Sequence, residues 1–264
     1  MSKKHSSAST VIGIDIGGTG IKGGIVDLDS GEVLGDRYRI PTPTPSTPQA
    51  VAKVVKEIVD ELMTRPHAPK EDAPVGITFP AIIAHGISLS AANVDQSWIN
   101  ADVDDIFTKE LGRDVQVMND ADAAGLAEAR YGAGKDVKGT VLVITLGTGI
   151  GSAFIFNGKL IPNVELGHLE LDGFDAETKA SASARERDDI SWDEYAVRLQ
   201  RYFSHVEFLF SPELFIIGGG ISKRSEDYLP QLKLRTKITT AELKNNAGIV
   251  GGALQAAVHF KLTK

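Results

Sequence analysis

From Val11 to Gly18 the chain alternates β-branched residues with Gly and Asp, VIGIDIGG, and GIKGGIVDLDSGEVLG (20–35) continues as a second strand into a turn around Asp29-Ser30-Gly31. This pattern predicts a β-hairpin wrapped around a glycine loop. IPTPTPSTPQ (40–49) carries four prolines in ten residues. Proline fixes φ and removes a backbone donor, so an extended surface connection of polyproline character is expected there. Val51, Val54, Val55, Ile58, Val59 and Leu62 then recur at helical spacing between Gln49 and Met63, and Pro66 and Pro69 end that amphipathic helix.

PVGITFPAII (74–83) reads as a buried strand with a turn, and DVQVMND (114–120) as a strand that terminates at the polar pair Asn119-Asp120. DADAAGLAEARYGAG (120–134) follows as a helix, capped by Asp120 or Asp122 and closed by Gly132 or Gly134. TVLVITLGTGIGSAFIFNGKLI (140–161) holds two apolar runs joined through Gly147-Thr148-Gly149, a second hairpin around a glycine loop. Strand, glycine loop, strand therefore occurs near residue 17 and again near residue 148. Two such halves facing each other would form a cleft. TKASASARERDD (178–189) has few apolar residues and is expected as a solvated helix or mobile loop. WDEYAVRLQRYFSHVEFLF (192–210) reads as an aromatic-rich amphipathic helix, and PELFIIGGGIS (212–222) as a short buried strand ending in three glycines. AGIVGGALQAAVHF (247–260) is a small-residue helix that packs closely or caps a ligand.

The 264 residues include no cysteine. That removes disulfide scaffolds, Cys-based zinc sites and thiolate nucleophiles, and leaves carboxylates, His, hydroxyls, Lys and backbone groups to carry any chemistry. Lys and Arg number 28 against 35 Asp and Glu, a net charge of −7. This argues against a general nucleic-acid or anionic-membrane binder while leaving room for a local basic groove. The first ten residues hold no apolar stretch, and nowhere do 18 consecutive apolar residues occur. A soluble cytoplasmic protein is the expectation.

A glycine-rich turn leaving a buried strand presents backbone N–H groups without side-chain obstruction, which suits phosphate oxygens. Gly17, Gly18, Thr19 and Gly20 offer such a turn, with Lys22 as an added cation and Asp15 placed to orient a metal-bound water. Taken alone it is equally a tight β-turn. A second loop of the same design, and Gly218-Gly219-Gly220 after a third strand, strengthen the phosphate reading. No G-x-x-x-x-G-K-[ST] loop is present.

IDIGGTGIKGGIVD (14–27), MNDADAAGLAEARYG (118–132), LGTGIGSAFIFNG (146–158) and ELGHLEL (165–171) resemble, in order and across nearly the whole chain, the ROK family of sugar kinases. The blocks NDADAAGLAEARYGAGK, LIPNVELGHLEL and LFIIGGGISK make the resemblance closer to its polyphosphate-dependent glucokinase branch, which includes the polyphosphate/ATP glucomannokinases. The resemblance implies an α/β protein of the actin-like ATPase (ribonuclease H-like) fold, two lobes with a central cleft. The expected small lobe comprises residues 1–118 with the helix 247–264 packing back on it, and the large lobe residues 119–246. The chain departs from the family's zinc-bearing members, whose GH motif is followed by a cysteine cluster. DGFDAETKASASARE stands here instead, so no zinc is expected at His168.

The implied reaction is phosphoryl transfer to the 6-hydroxyl of glucose, and also mannose, from inorganic polyphosphate or ATP with Mg²⁺. Asp120 matches the family's catalytic base, and physically a carboxylate at a strand end can take the hydroxyl proton. Asn119, Glu165 and His168 match sugar ligands and supply the donors and acceptors that vicinal hydroxyls need. Asn93 resembles the upstream sugar-contacting Asn, and Glu170 and Glu177 are both open as the further acidic ligand. Gly147, Thr148 and Gly149 would form the second phosphate loop, and Gly218, Gly219 and Gly220 a platform near the adenosine or its polyphosphate substitute. Lys22, Lys135, Lys223 and Arg224 are candidate cations for a long polyanion. A homodimer is the assembly the resemblance favours. The family's repressors carry a helix-turn-helix ahead of the first glycine loop, and only ten residues precede Val11 here, so that reading is disfavoured. An actin-like chaperone would give Asn119-Asp120 and Glu165/His168 no evident purpose.

Overall fold

The computed structural model describes residues 10–91 and 94–263. In chain order its strands are β1 (Thr10–Ile16), β2 (Ile21–Asp27), β3 (Val33–Ile40), β4 (Val75–Phe79), β5 (Ile83–Ala84), β6 (Ile87–Ser88), β7 (Val115–Asn119), β8 (Thr140–Leu146), β9 (Ile150–Phe156), β10 (Lys159–Ile161), β11 (Glu170–Leu171), β12 (Phe174–Asp175), β13 (Leu214–Gly218) and β14 (Lys237–Thr240). The helices are α1 (Pro48–Met63), α2 (Val103–Leu111), α3 (Asp120–Tyr131), α4 (Glu177–Ala180), α5 (Ala182–Arg187), α6 (Trp192–Phe210) and α7 (Ala247–His259). The chain divides into two compact units, Met1–Ala123 with Asn245–Lys264, and Ala124–Lys244. No helix among the described residues is long and apolar enough to cross a membrane.

The first unit is built on the sheet β3-β2-β1-β4-β7. β1, β2 and β3 form an antiparallel meander, while β4 and β7 run parallel to β1. Alternation places the side chains of β1 and β2 on two faces. On one, Gly23 lies where a Cβ would meet Ile58 and Leu62 of α1, which buries Val51, Val55, Ile58, Val59 and Leu62 against the sheet. On the other, α7 comes down almost to the backbone. A Cβ at Gly13 would fall 1.9 Å from the Ile249 carbonyl oxygen, and one at Gly76 1.9 Å from that of Gly252. The small-residue helix is thus a close-packing device, and its glycines answer glycines on the strands.

The second unit repeats the design in the sheet β10-β9-β8-β13-β14, again an antiparallel meander followed by two parallel strands. Leu142, Ile144, Leu146, Phe215 and Ile217 pack against Tyr195, Leu199, Tyr202, Phe203 and Val206 of α6. That helix opens with a full capping box, Ser191 with Glu194.

The structure refines three expectations. The strand and the turn expected over 20–35 are both present, β2 ending at Asp27, whose carboxylate takes the Asp29 N–H and the Ser30 hydroxyl, but the turn leads into a third strand, β3, that begins at Val33. The proline segment is shorter than its composition suggests, since Ile40 still belongs to β3 and Pro48 already opens α1, with Thr47 as its N-cap. Residues 178–189 are neither loop nor merely solvated. They fold into the end of α4 and α5, with Ala180, Ser181 and Ala184 buried, the Tyr195 hydroxyl donating to the Ala180 carbonyl at 2.8 Å, and the charges directed into the Arg187–Asp188 and Arg198–Asp188 pairs.

Candidate active site

In the first unit, the connection from Ile16 to Ile21 is the first glycine loop. It is closed by the Gly17 N–H donating to the Gly20 carbonyl at 3.1 Å, and Gly18 and Thr19 at its tip are exposed. Arg39 of β3 steadies it, donating to the Thr19 carbonyl at 2.8 Å, and its guanidinium lies where a Gly20 side chain would stand. Thr42 donates to the Gly17 carbonyl at 2.5 Å. Both partners leave the tip N–H groups undisturbed, as a phosphate cradle requires. Antiparallel register places Asp15 directly opposite Lys22, and their side chains meet at 3.3 Å. The parallel neighbour Thr78, fully buried, donates its hydroxyl to Asp15 Oδ1 at 3.0 Å. Asp15 is thereby held at the strand end with one oxygen on a hydroxyl and the other on an ammonium group.

Asn119 ends β7 and is buried. Its Oδ1 accepts the N–H groups of Ala121 and Asp122 at 2.8 and 3.0 Å, and its Nδ2 donates to the Ala81 carbonyl at 3.1 Å. Asn119, the residue preceding the first helical residue, reaches the second and third N–H groups and is the N-cap of α3. Asp120 shares in this, its Oδ1 also accepting the Ala121 N–H at 2.8 Å. As the first residue of α3 it is exposed, at the helix's positive end, and its backbone is fixed by the cap behind it.

In the second unit, the Gly147 N–H donates to the Gly149 carbonyl at 3.0 Å, and Thr148 at the tip is exposed. Parallel pairing of Gly218 with Thr145 brings the third glycine cluster to this loop. Gly219 sits at φ +83°, where a Cβ would lie 2.3 Å from the Leu146 carbonyl oxygen, so this position demands glycine on two counts. At Gly147 and at Gly220 a Cβ would meet open space.

Glu177, at the start of α4, accepts the Ile150 N–H at 3.0 Å, and its Oε2 stands 2.3 Å from where a Gly149 Cβ would be. Glu165 and His168 lie in its field. Burial raises the Glu165 carboxyl above the usual range, with His168 opposing and Glu177 reinforcing the shift. His168 is raised mainly by its 2.8 Å hydrogen bond from Nδ1 to Asp175, and Glu177 and Glu165 add to it. Donor atoms of His168, Asp175 and Glu177 fall within 4.8 Å of one another. Both Nδ1 of His168 and Oε2 of Glu177 are already engaged, so the group offers Nε2 and carboxylate oxygens to a polyhydroxylated ligand. Of the two acidic residues left open by sequence, Glu177 joins this set, whereas Glu170 is exposed in the short β11–β12 ladder. Asn93 lies outside the described residues.

The ROK family model matches residues 11–183. The chain belongs to the ROK family. It is 49% identical to the polyphosphate glucokinase of Mycobacterium tuberculosis over 243 residues, 92% of this chain and 89% of that one. The crystal structure of the inorganic polyphosphate/ATP-glucomannokinase from Arthrobacter sp. strain KM matches with a TM-score of 0.90 at 70% identity, covering 95% of this chain and 99% of that one. A ROK glucokinase from Streptomyces griseus, solved with glucose and AMPPNP, matches with a TM-score of 0.77 at 25% identity, covering 92% and 98%. The fold is the actin-like ATPase fold with two α/β lobes.

Within this ROK chain, sequence reasoning passed over three residues. Thr78 is legible only once β4 is known to pair with β1 in a register that sets it beside Asp15. Asp175 reaches His168 because the tight β11–β12 turn folds the chain back. Arg39 sits opposite Lys22 on β3, a strand that the sequence pattern did not reveal. Among the candidate cations, Lys22 is at the first loop, and Lys223 and Arg224 follow Gly220 on an exposed turn where Arg224 is paired with Asp227 at 2.6 Å. Lys135 is exposed in the turn after α3.

Proposed function

We propose that this ROK protein is a sugar kinase, transferring a phosphoryl group from inorganic polyphosphate or ATP to the 6-hydroxyl of glucose and of mannose. The observation that carries the reading is its kinship over nearly the full chain, at 49% and 70% identity, with enzymes named polyphosphate glucokinase and polyphosphate/ATP-glucomannokinase.

Asp120 acts as base. As the sugar O6 forms its bond to phosphorus, the bond from phosphorus to the bridging oxygen breaks, the electron pair leaves with the shortened polyphosphate or ADP, and the hydroxyl proton passes to Asp120. Asn119 holds the backbone under Asp120 and has a second N–H for the sugar. Glu165, His168 and Glu177 take other hydroxyls, and Asn93 is carried over by resemblance alone. Gly17, Gly18, Thr19 and Gly20 bind phosphate oxygens through backbone N–H groups, as do Thr148 and Gly149. Gly219 and Gly220 form the platform for the rest of the donor. Asp15 fits the role of holding Mg²⁺ through water, since this ion is commonly retained by one carboxylate and the substrate phosphates. Bound there, Mg²⁺ would neutralise phosphate charge. The proposed setting is the cytoplasm, with the homodimer as the favoured assembly.

The test is glucose 6-phosphate formation by the purified protein with Mg²⁺, run in parallel with long-chain polyphosphate and with ATP freed of polyphosphate. Product from both donors is expected. Product from ATP alone would make it an ordinary glucokinase, and product from neither would overturn the reading.

A further inference from the structure

Lys22, Asp36, Arg37, Arg39 and Asn245 line an open concavity of about 470 Å³ in the first unit, beside the first glycine loop. Three of these five residues are cationic, in a chain whose net charge is −7. Their placement works against folding. Lys22 and Arg39 are directly opposed in the β2–β3 register, and like charges so placed repel. β3 is bulged against β2 just before Tyr38, and the bulge brings Arg37 over Gly24 while Arg39 lies over Gly20, so both line the one concavity. Asp15 answers Lys22 alone, at 3.3 Å. Asp36 brings the single carboxylate of the lining and makes no ion pair with these cations among the described residues.

Each arginine is also aimed. Arg39 spends one bond on the Thr19 carbonyl and Arg37 one on the Asn245 carbonyl, at 2.8 and 3.0 Å. Both acceptors are neutral, so each guanidinium keeps its full charge and most of its N–H donors for something else. The bond of Arg39 to Thr19 makes the concavity continuous with the tip of the loop that is read as a phosphate cradle. Arg37 extends it along the sheet edge, where β3 has no further strand beyond it. A line of cations leading away from a phosphate loop matches a linear polyanion, whose repeating charges would relieve the Lys22–Arg39 repulsion. A nucleotide, with its charge confined to a short tail, would leave Arg37 unused.

We propose that this concavity is a subsite for the internal phosphates of a polyphosphate chain, with Arg37 and Arg39 setting the preference for long chains over ATP. It rests on the reading of the protein as a polyphosphate-using kinase.

The test compares Arg37→Ala and Arg37→Glu with the unaltered protein, because Arg37 does not touch the glycine loop, and uses Arg39→Lys to keep charge while losing the planar fork. Two readouts are taken: the ratio of KM for long-chain polyphosphate to KM for ATP, and direct calorimetric binding of long-chain polyphosphate and of inorganic tripolyphosphate without sugar. The expected result is a ratio raised about tenfold by Arg37→Ala and more by Arg37→Glu. Long-chain affinity should fall in parallel, tripolyphosphate affinity should change far less, and the salt dependence of long-chain binding should flatten. A ratio and a long-chain affinity both within twofold of the unaltered protein would overturn the subsite while leaving polyphosphate use intact. If the unaltered protein makes no product from polyphosphate, the donor reading falls. The calorimetric comparison still decides the subsite, which is overturned if long-chain binding is absent or indifferent to Arg37.

Discussion

Gly149→Ala tests whether the second glycine loop and the sugar ligands act as one unit through Glu177. The backbone at 149 is not left-handed, so alanine is conformationally admissible, but its Cβ would stand 2.3 Å from Glu177 Oε2. The carboxylate is the end of a flexible side chain and must retreat by about 1 Å to reach ordinary contact. That retreat breaks the 3.0 Å hydrogen bond it accepts from the Ile150 N–H. A hydrogen bond to a charged acceptor is worth about 1.5–3 kcal/mol, which converts to about a 10- to 150-fold loss if the displaced carboxylate also serves the sugar. The assay is steady-state glucose 6-phosphate formation coupled to a dehydrogenase, titrating glucose at saturating donor and donor at saturating glucose, with a thermal melt in parallel. The expected outcome is a fall in kcat/KM for glucose in that range with the fold retained. Glu177→Gln, which keeps an acceptor for Ile150 but loses the charge, should give a smaller loss. A kcat/KM for glucose within twofold of the unaltered protein would show that Glu177 serves the loop and not the sugar.

Asp120→Asn should lower kcat by about 10²- to 10⁴-fold while glucose still raises the melting temperature; retention of more than a tenth of the activity would remove Asp120 as base. His168 should titrate above its ordinary value of 6.5 by NMR, because Asp175 favours the imidazolium, and Asp175→Asn should bring it back down. A folded pKa raised in this way stabilises the native state fully below about pH 6.5 and is lost as pH rises through the folded value, so an identical titration in the variant would refute the pairing. Gly76→Ala sets a Cβ 1.9 Å from the backbone oxygen of Gly252 and should destabilise the first unit by at least about 1–3 kcal/mol; a melting temperature within a degree of the parent would contradict the packing of α7.

The parts of this molecule that could be read in advance are those where chemistry and local pattern coincide. VIGIDIGGTGIKGG declares a hairpin and its loop because β-branched alternation and a glycine cluster are both short-range signals. Asn119 could be read in advance as a site candidate but not as the N-cap of α3, since Asn, Asp120 and Asp122 are all good caps and only the end point of β7 decides among them. β3 was hidden because VLGDRYRI has one exposed edge and three charged residues, which blur alternation. Helix was one of the two readings open at 178–189, but its burial was hidden because alanine and serine bury themselves without a hydrophobic signature. Glu177 could not be chosen over Glu170 from composition. The choice depends on a turn that sends one to the Ile150 N–H and leaves the other in solvent.

The repeated sheet order also explains why two loops of one design need not do the same work. Thr10–Ile16 and Thr140–Leu146 align residue for residue up to their loops, TVIGIDI against TVLVITL, and the second strands enter as Ile21-Lys22 and Ile150-Gly151. At the pair that faces across each hairpin, the first unit has Asp15 opposite Lys22 and the second has Thr145 opposite Gly151. The next strand follows suit: the hydroxyl of Thr78 supports Asp15, whereas Gly218 lies flat against Thr145. A carboxylate, its counter-ion and its hydrogen-bond donor are thus present together or replaced together. The backbone cradle is common to both loops and asks only for glycine, but charge has been placed in one of them. Under the proposed function, work that needs an ionic group, holding a cation's water shell or meeting phosphate with an ammonium, would fall to the first loop. The second, neutral loop would bind through N–H groups alone, and through Ile150 it anchors the carboxylate of Glu177.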